Sequence, residues 1–273
     1  MLELGYVKGT HFSLVARLAE GNYDRLPAFA EELVKHKVDL IFAASTAALR
    51  AAQGATSTIP IVFIYVTDPV GSGFAVSLAR PGRNITGLTN ITIDLDSKRL
   101  QLLKQMLPSL VRVACFLNPR SPFPKDAERM QALAEPLGLH ALPFYVSTPE
   151  ELEPAFTAMN AERAQAFMVS SDSYLFSMRK QIADLALRHR LPSMWNFIDC
   201  VQAGGLMSYG GDDSAEMRKV ATYVDKIFRG AKPGELPIQQ PTKFDLIINR
   251  KTANALGLTI PPVLLVQAEK VID

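Results

Sequence analysis

Apolar and polar positions follow one another in blocks that predict alternating strands and helices. Val38–Ala43 and Ile61–Val66 are apolar runs with the length of buried strands, and the alanine-rich stretch Ala47–Gln53 between them is typical of a helix. Asp24–Lys37 carries apolar residues at helical spacing, and His11–Leu18 is predicted to be a further strand. A succession of strand, helix, strand, helix and strand predicts an α/β fold with parallel strands.

The same succession recurs beyond a turn-rich segment at Leu78–Asn84. Ile85–Thr89 is predicted to be a short extended run where the chain leaves the first lobe, and the later predicted strands are Val111–Leu117, Ala141–Val146, Gln165–Val169, Leu191–Trp195, Gly205–Ser208 and Phe244–Ile248. Helices are predicted from Asp94 to Pro108, over Pro124–Leu137 and Pro149–Asn160, up to Arg190, from Asp213 to Gly230, over Arg250–Leu256 and from Val263 onward. We therefore predict two Rossmann-like lobes with parallel sheets, residues 1–90 plus about 211–241 and residues 91–210 plus about 242–273.

Small polar residues follow the predicted strand ends, which is where open parallel sheets bind ligands. Ser45 and Thr46 stand where a strand meets a helix N-terminus, a place with free N–H groups and a dipole that favours an anion. The candidate ligand-binding residues are Ser45, Thr46, Asp68, Asn90, Asn118, Ser171, Asp172, Tyr209 and Gly210. In a cleft between two lobes they would suit a small polar or zwitterionic solute, with hydroxyl and N–H donors for a carboxylate and an aspartate for an ammonium group.

Each candidate also has a structural interpretation. Tyr65 and Trp195, two aromatic residues near the predicted strand ends, are as well suited to the core as to ligand contact. Asp172 is in the sequence position of an ordinary helix N-cap. Asp68 precedes a proline and fits simple turn chemistry. The joint pattern, rather than any single residue, indicates a site.

Charge and composition limit the classes of partner that the sequence predicts. The 273 residues include 29 basic and 27 acidic side chains spread along the chain, without the concentrated basic face that a nucleic-acid partner needs. No apolar run reaches the ~18 residues of a membrane span, so no direct membrane insertion is expected. No basic and apolar leader begins the chain. Cys115 and Cys200 are far apart and are interpreted as buried or partly buried thiols, with a disulfide left open.

No constellation for catalysis, metal or cofactor binding is evident in the sequence. The four histidines are predicted at helix ends or strand beginnings, away from the polar strand ends. Gly71-Ser72-Gly73 lacks the spacing of a nucleophile elbow, no glycine-rich phosphate loop follows a strand, and no His, Cys and Glu cluster has metal spacing. We expect a binding protein without catalytic residues, metal or cofactor, and an enzyme such as a racemase or hydrolase ranks behind it.

Three segments resemble a known family. They are LIFAASTAALRAAQGATSTIPIVFIYVTDPVGSGFAVSLARPGRNITGLTN from Leu40, FLNP from Phe116, and YVDKIFRGAKPGELPIQQPTKFDLIINRKTANALGLTIP from Tyr223. With the SYG at Ser208, the resemblance extends over nearly the whole chain. The family is that of the substrate-binding proteins of bacterial ABC transporters, which have a two-lobed periplasmic-binding-protein fold of type I; some members handle tryptophan or related amino acids.

The resemblance implies a protein that closes on a small solute, an amino acid or aromatic carboxylate by preference, and presents it to an ABC permease without chemistry. Sugars and nucleosides remain open as ligands. Carried over by position, Ser45, Thr46, Asp68, Asn118, Asp172 and Tyr209 would line the cleft. We interpret Asp172 as the partner of an α-ammonium group, from its place after Ser170 and Ser171.

The start of the chain departs from the family pattern. Members usually begin with an export signal, a first strand and a helix that ends in a motif like ELGY, whereas this sequence begins MLELGY. The comparison implies that the signal, the first strand and its ligand-contacting loop are absent. The protein would be periplasmic by resemblance and cytoplasmic if Met1 is the true start, and the alternative function is a cytoplasmic ligand-sensing lobe of the same fold.

Overall fold

The computed structural model describes residues 1–90, 95–120 and 125–273. The chain forms two compact units: unit 1 comprises Met1–Ile91 and Asp213–Thr242, and unit 2 comprises Thr92–Asp212 and Lys243–Asp273. The strands are β1 Ile41–Ala43, β2 Ile61–Val66, β3 Ile85–Thr89, β4 Arg112–Leu117, β5 His140–Tyr145, β6 Ala166–Val169, β7 Ser193–Trp195, β8 Met207–Gly210, β9 Asp245–Asn249 and β10 Lys270–Ile272. The α-helices are α1 Leu26–Lys35, α2 Thr46–Ala55, α3 Asp96–Met106, α4 Asp126–Ala134, α5 Leu152–Ala161, α6 Ser173–Ser177, α7 Arg179–Arg188, α8 Ile198–Gln202, α9 Asp213–Phe228, α10 Arg250–Ala255 and α11 Pro262–Gln267.

Unit 1 is built on a three-stranded parallel sheet in the order β1-β2-β3. Its strands are buried on both faces, as expected for parallel strands that read as continuous apolar runs. One face packs on α2 through residues such as Leu49 and Phe63, and the other packs on α9 through Val62 and Tyr223. The sheet thus lies between helices, and the ends of its strands share one edge.

The predicted strand at His11–Leu18 is wrong. This segment forms only a single bridge between Lys8 and Phe12 and otherwise lies outside regular structure. Leu14 and Leu18 are 63% and 71% exposed, so its apolar side chains do not pack. An extended segment becomes a strand only when a neighbour pairs with its backbone, and within the described residues β1 pairs with β2 alone.

Unit 2 is built on a seven-stranded sheet in the order β10-β9-β8-β7-β6-β4-β5. All neighbouring pairs are parallel except β8 with β9. One face carries an aliphatic and methionine core that includes Leu103 and Ile248. The other face carries an aromatic core in which Phe156 and Phe167 pack edge to face. These two cores hold β4, β6, β7 and β8 side by side, which sets the spacing of their ends.

Several predicted elements differ in detail. The predicted helix that ends at Arg190 is two helices, α6 and α7, that meet at Met178. The tail predicted to be helical from Val263 continues after α11 into β10. The predicted start of a helix at Asp94 and the start of another at Pro124 lie outside the described residues, and the side chain of Asp213 is likewise not described.

Thr148 and Glu151 form a capping box before the predicted helix Pro149–Asn160. The backbone N–H of Thr148 donates to Glu151 Oε2 over 3.2 Å at the start of the 3₁₀ turn Pro149–Glu151, which leads into α5. At the start of the chain, Leu2–Leu4 form a short 3₁₀ helix that ends at Gly5, which is in the left-handed conformation at φ 82°. Within the described ranges, no helix has the length and apolar character needed to cross a membrane.

Candidate ligand-binding site

In each unit, the polar residues at the ends of the parallel strands lie along one edge of the sheet, here called the polar edge. In unit 1 this edge begins at the junction of β1 and α2. Ser45 is extended and its Oγ accepts a hydrogen bond from the backbone N–H of Ala48 over 3.1 Å, so it is the N-cap of α2. Thr46 is the first residue of α2 and is buried. The N-terminal N–H groups of this ten-residue helix therefore lie at the end of β1, as the sequence predicted.

The ends of β2 and β3 meet through Thr67 and Asn90. The backbone N–H of Asn90 donates to Val66 O over 3.1 Å, and Thr67 Oγ1 donates to Asn90 Oδ1 over 3.0 Å. Asn90 is buried, whereas Asp68 is exposed and accepts from the Gly71 N–H over 2.8 Å. Asn90 is thus joined to the neighbouring strand end, whereas the hydrogen bond of Asp68 is the local turn contact that its proline neighbour suggested.

Tyr65 adds a strained backbone at the same edge. Its φ is +61°, in the left-handed region that non-glycine residues rarely occupy, and the register between β2 and β3 shifts between Phe63 and Val66. Such strain persists only where surrounding packing imposes it, and it concentrates at ligand sites. Sequence patterns show no sign of it, because the apolar run through Tyr65 is continuous.

In unit 2, Asn118 and Asp172 come together at the ends of β4 and β6. Asn118 Nδ2 donates to Asp172 Oδ1 over 3.1 Å, and Asn118 Oδ1 accepts from the Arg120 N–H over 2.9 Å. Asp172 Oδ1 also accepts from the N–H groups of Tyr174 and Leu175, so it is the N-cap of α6. The half-buried Ser171 precedes Asp172 along the chain. The Asp172 carboxylate that caps α6 is therefore the same group that the sequence analysis interpreted as the partner of an ammonium group.

The end of β8 is held by a buried arginine. Arg99 on α3 is fully buried; its Nε donates to the backbone oxygen of Tyr209 over 2.8 Å, and its Nη1 donates to Asp96 over 2.7 Å. Gly210 follows, and a Cβ atom there would come within 2.0 Å of the backbone oxygen of Asn196. Tyr209 and Gly210 are thus fixed by contacts that local sequence does not show.

The ion-pair network continues from Asp96 to α4. Arg129 pairs with Asp96 Oδ2 over 2.9 Å and with Asp126 Oδ1 over 3.2 Å. Burial raises the pKa of the Asp126 carboxyl, and the Arg129 guanidinium opposes that rise. Two carboxylates and two guanidinium groups therefore underlie the polar edge of unit 2, an arrangement that the sequence analysis missed.

Asn196 is a second residue that the sequence analysis missed. It directly follows β7, between the ends of β6 and β8, and is 4% exposed. Its Nδ2 donates to Val169 O over 3.4 Å, while its Oδ1 is buried without a hydrogen-bond partner in the described part of the chain. The sequence analysis selected polar residues that directly follow predicted strands, and the same criterion would also have identified Asn196. The neighbouring Trp195 donates from Nε1 to Ser193 Oγ and is 1% exposed, so it belongs to the core.

Over the residues that the structure describes, no group of three or more His, Cys, Asp and Glu side chains could hold a metal ion. Cys115 and Cys200 are both buried thiols, as predicted. Burial raises the pKa of the Cys115 thiol to about 12, which keeps it protonated and unreactive at neutral pH. His189 packs at the end of α7, where its Nε2 lies 2.8 Å from Glu153 Oε1.

The model of one protein family, described as ABC transporter substrate binding protein, matches residues 1–272. The chain belongs to this family. The resemblance inferred from the sequence is thereby confirmed, and with it the α/β fold of type I periplasmic binding proteins.

This substrate-binding protein is similar in sequence or structure to three other proteins. A tyrosine-binding protein of Clostridioides difficile (strain R20291) is 26% identical over 256 residues, which are 93% of this chain and 73% of the relative. The crystal structure of a conserved domain protein from Vibrio cholerae O1 biovar El Tor matches with a TM-score of 0.89 at 28% identity, over 99% of this chain and 90% of the other. An ABC domain from Streptococcus pneumoniae in complex with L-Trp matches with a TM-score of 0.86 at 26% identity, over 99% and 92%.

Proposed function

We propose that this substrate-binding protein is the solute-binding component of an ABC import system and binds an aromatic amino acid or a closely related carboxylate without chemical change. The observation that carries the proposal is the family match over residues 1–272. The ligand class is supported by the names of two relatives, one a tyrosine-binding protein and one solved with L-Trp. Fold alone would not support a ligand class, because one fold hosts many functions.

The polar strand ends suit the two charged groups of an amino acid. Ser45, Thr46 and the N–H groups at the start of α2 offer donors for a carboxylate in unit 1. Asp172, with Asn118 beside it, offers a carboxylate for an ammonium group in unit 2. Tyr209 and Tyr174 are half-buried aromatic residues that could contact an apolar ring. That both polar edges serve one ligand is part of the proposal, as are the lobe limits predicted from the sequence.

The protein would deliver its ligand to an ABC permease, in keeping with its family, and would act in the periplasm or outside the cell. No nucleic-acid partner is proposed. Closure on a ligand and transfer to a permease require binding and release only, so the residues named here bind and orient a solute.

A thermal-shift screen tests the proposed ligand class. The purified chain is heated with amino acids, aromatic acids, purines and sugars, and a ligand that binds only the folded state raises the melting temperature by mass action. We expect L-tryptophan or L-tyrosine to give the largest shift, corresponding to about 2.7 kcal/mol at a hundred times its Kd. A shift with sugars or purines and none with aromatic amino acids would refute the ligand class. No shift with any compound would favour a regulatory lobe.

Asp172→Asn is expected to weaken the binding of L-tryptophan about tenfold or more. The amide retains an oxygen that can cap α6, so the fold is kept, but the negative charge opposite the ammonium group is lost. Isothermal titration calorimetry measures the change in Kd.

Asp184→Asn provides the matched control. Asp184 is exposed on α7 of the same unit and, among the described residues, forms an ion pair only with Lys180 in the preceding turn, so its loss should leave the Kd unchanged. Equal affinities for the Asp172→Asn variant and the unaltered protein would remove Asp172 from the ligand site.

A further inference from the structure

Asn196 occupies the gap between residues already assigned to the polar edge of unit 2. Met194 is level with Met168 of β6 on one side and with Met207 of β8 on the other. Two residues further along these parallel strands, Asn196 is therefore level with Ser170 and Tyr209. It lies in the same row of strand ends as Asp172 and Tyr209, with one neighbour on each side.

The hydrogen-bonding capacity of the Asn196 side chain is only partly used by the described residues. Its amide nitrogen is directed to Val169 O, which identifies the other atom as oxygen because an oxygen would repel that carbonyl. The oxygen is buried and has no donor among the described residues. A buried acceptor left without a donor is costly, and natural proteins keep one mainly where a water, an ion or a ligand completes it.

The backbone around Asn196 is held in place before any ligand binds. Its own carbonyl oxygen lies so close to Gly210 that a Cβ there would overlap it at 2.0 Å. The preceding residue of β8, Tyr209, is fixed by Arg99 through its carbonyl oxygen. The amide oxygen is therefore presented from a rigid strand end, which reduces the entropy cost of binding a donor.

The charges near this strand end favour a cationic donor. Three carboxylates and two guanidinium groups surround the buried side of the edge, namely Asp96, Asp126, Asp172, Arg99 and Arg129. The Asp126 carboxylate senses the charge of Asp172, so the two lie within electrostatic range. A carboxylate such as Asp172 in a poorly solvated place attracts an ammonium group more strongly than a neutral donor.

We propose that Asn196 Oδ1 is a further ligand-binding atom, which accepts a hydrogen bond from the ammonium group of the bound amino acid beside Asp172. This inference rests on the proposed function and deepens it, since it makes the ammonium group a requirement for tight binding. A ligand with the same ring and carboxylate but no ammonium group would leave Asn196 Oδ1 without its donor.

The test compares L-tryptophan with indole-3-propionate, which has the same indole ring and carboxylate but no ammonium group. Asn196→Leu has nearly the shape of asparagine and removes the acceptor. We expect this variant to lose about tenfold in affinity for L-tryptophan and less than about twofold for indole-3-propionate, measured by calorimetry.

Asn249 supplies a matched control on the same sheet. It is buried like Asn196 and is the last residue of β9, but its Nδ2 donates to Val201 O over 3.1 Å and its Oδ1 accepts from the Thr252 N–H over 2.8 Å. Asn249→Leu should lower the melting temperature of the ligand-free protein and leave the preference between the two ligands unchanged. Asn196→Leu should lower that melting temperature by less, because it loses only the hydrogen bond to Val169 O over 3.4 Å, whereas Asn249→Leu loses two shorter hydrogen bonds.

Each result decides the inference separately from the proposed function. Binding of L-tryptophan by the unaltered protein tests the proposed function alone. The inference is overturned if Asn196→Leu weakens both ligands equally or neither, which would mean a packing or water-binding role. It is also overturned if Asn196→Leu lowers the melting temperature of the ligand-free protein as much as Asn249→Leu does, since Oδ1 would then already have a donor.

Discussion

Replacement of Arg99 by methionine is expected to lower the free energy of unfolding by about 3–5 kcal/mol. Methionine fills much of the volume of the arginine stem but leaves the buried Asp96 without the Nη1 donor at 2.7 Å and the Tyr209 carbonyl without its Nε donor at 2.8 Å. Asp96 keeps its contact with Arg129 over 2.9 Å, but a buried carboxylate that loses one of two cationic partners recovers less of the cost of its desolvation. Urea denaturation followed by circular dichroism measures the loss.

Arg112→Met is the matched control for Arg99→Met. Arg112 begins β4 of the same sheet and pairs with Glu162 over 3.0 Å, but the two side chains are 38% and 59% exposed. Solvent screens this pair, so its loss should cost about 1 kcal/mol or less. Equal effects of the two substitutions would show that the Arg99 network contributes no more than a surface pair. A loss of ligand affinity in Arg99→Met under conditions where it is folded would support its role in holding Tyr209.

Gly210→Ala is expected to destabilise unit 2 by about 3 kcal/mol and to weaken ligand binding as well. The added Cβ would come within 2.0 Å of the backbone oxygen of Asn196 and 3.1 Å of its carbonyl carbon, and backbone atoms cannot move aside without shifting β7 or β8. Because Asn196 and Tyr209 lie on these two strand ends, a shift of either displaces the polar edge. Thermal unfolding and titration with L-tryptophan measure the two effects.

Gly54→Ala shows what a methyl group does where there is room. Gly54 lies in α2 and a Cβ there would meet nothing within 4 Å, so alanine should stabilise the helix by about 0.5–1 kcal/mol. If Gly210→Ala were as harmless as Gly54→Ala, the close approach of β7 and β8 at Asn196 would be refuted.

The order of the elements and the polar strand ends were largely predictable from the sequence. Apolar runs such as Ile61–Val66 and the helical spacing in α9 are local patterns, and the structure has strands and helices there. Ser45 was correctly identified as the residue between a strand and a helix, since N-caps have a local signature. The prediction of a strand at His11–Leu18 failed because a strand also needs a neighbouring strand to pair with, and the pattern of apolar residues carries no information about that neighbour.

The residues of unit 2 show what local pattern could not provide. Asp172 was recognised as polar and well placed, but its partnership with Asn118, which is 54 positions away, depends on β4 and β6 being neighbours. Arg99 lies in a predicted amphipathic helix, where an arginine is usually solvated. The structure buries it completely because Asp96 and the Tyr209 carbonyl compensate its charge and its donors.

The sequence by itself therefore determined the α/β class, the family and the row of small polar residues at the strand ends, because periodicity, caps and motifs are properties of neighbouring residues. Only the tertiary structure decided which of those residues have partners and which do not. It paired Asn90 with Thr67, joined Arg99 to Tyr209 and gave Asn196 Oδ1 no donor within residues 1–90, 95–120 and 125–273. Hydrogen-bond satisfaction depends on distances across the sheet, and those distances are set by the packing of the two cores rather than by the order of residues along the chain.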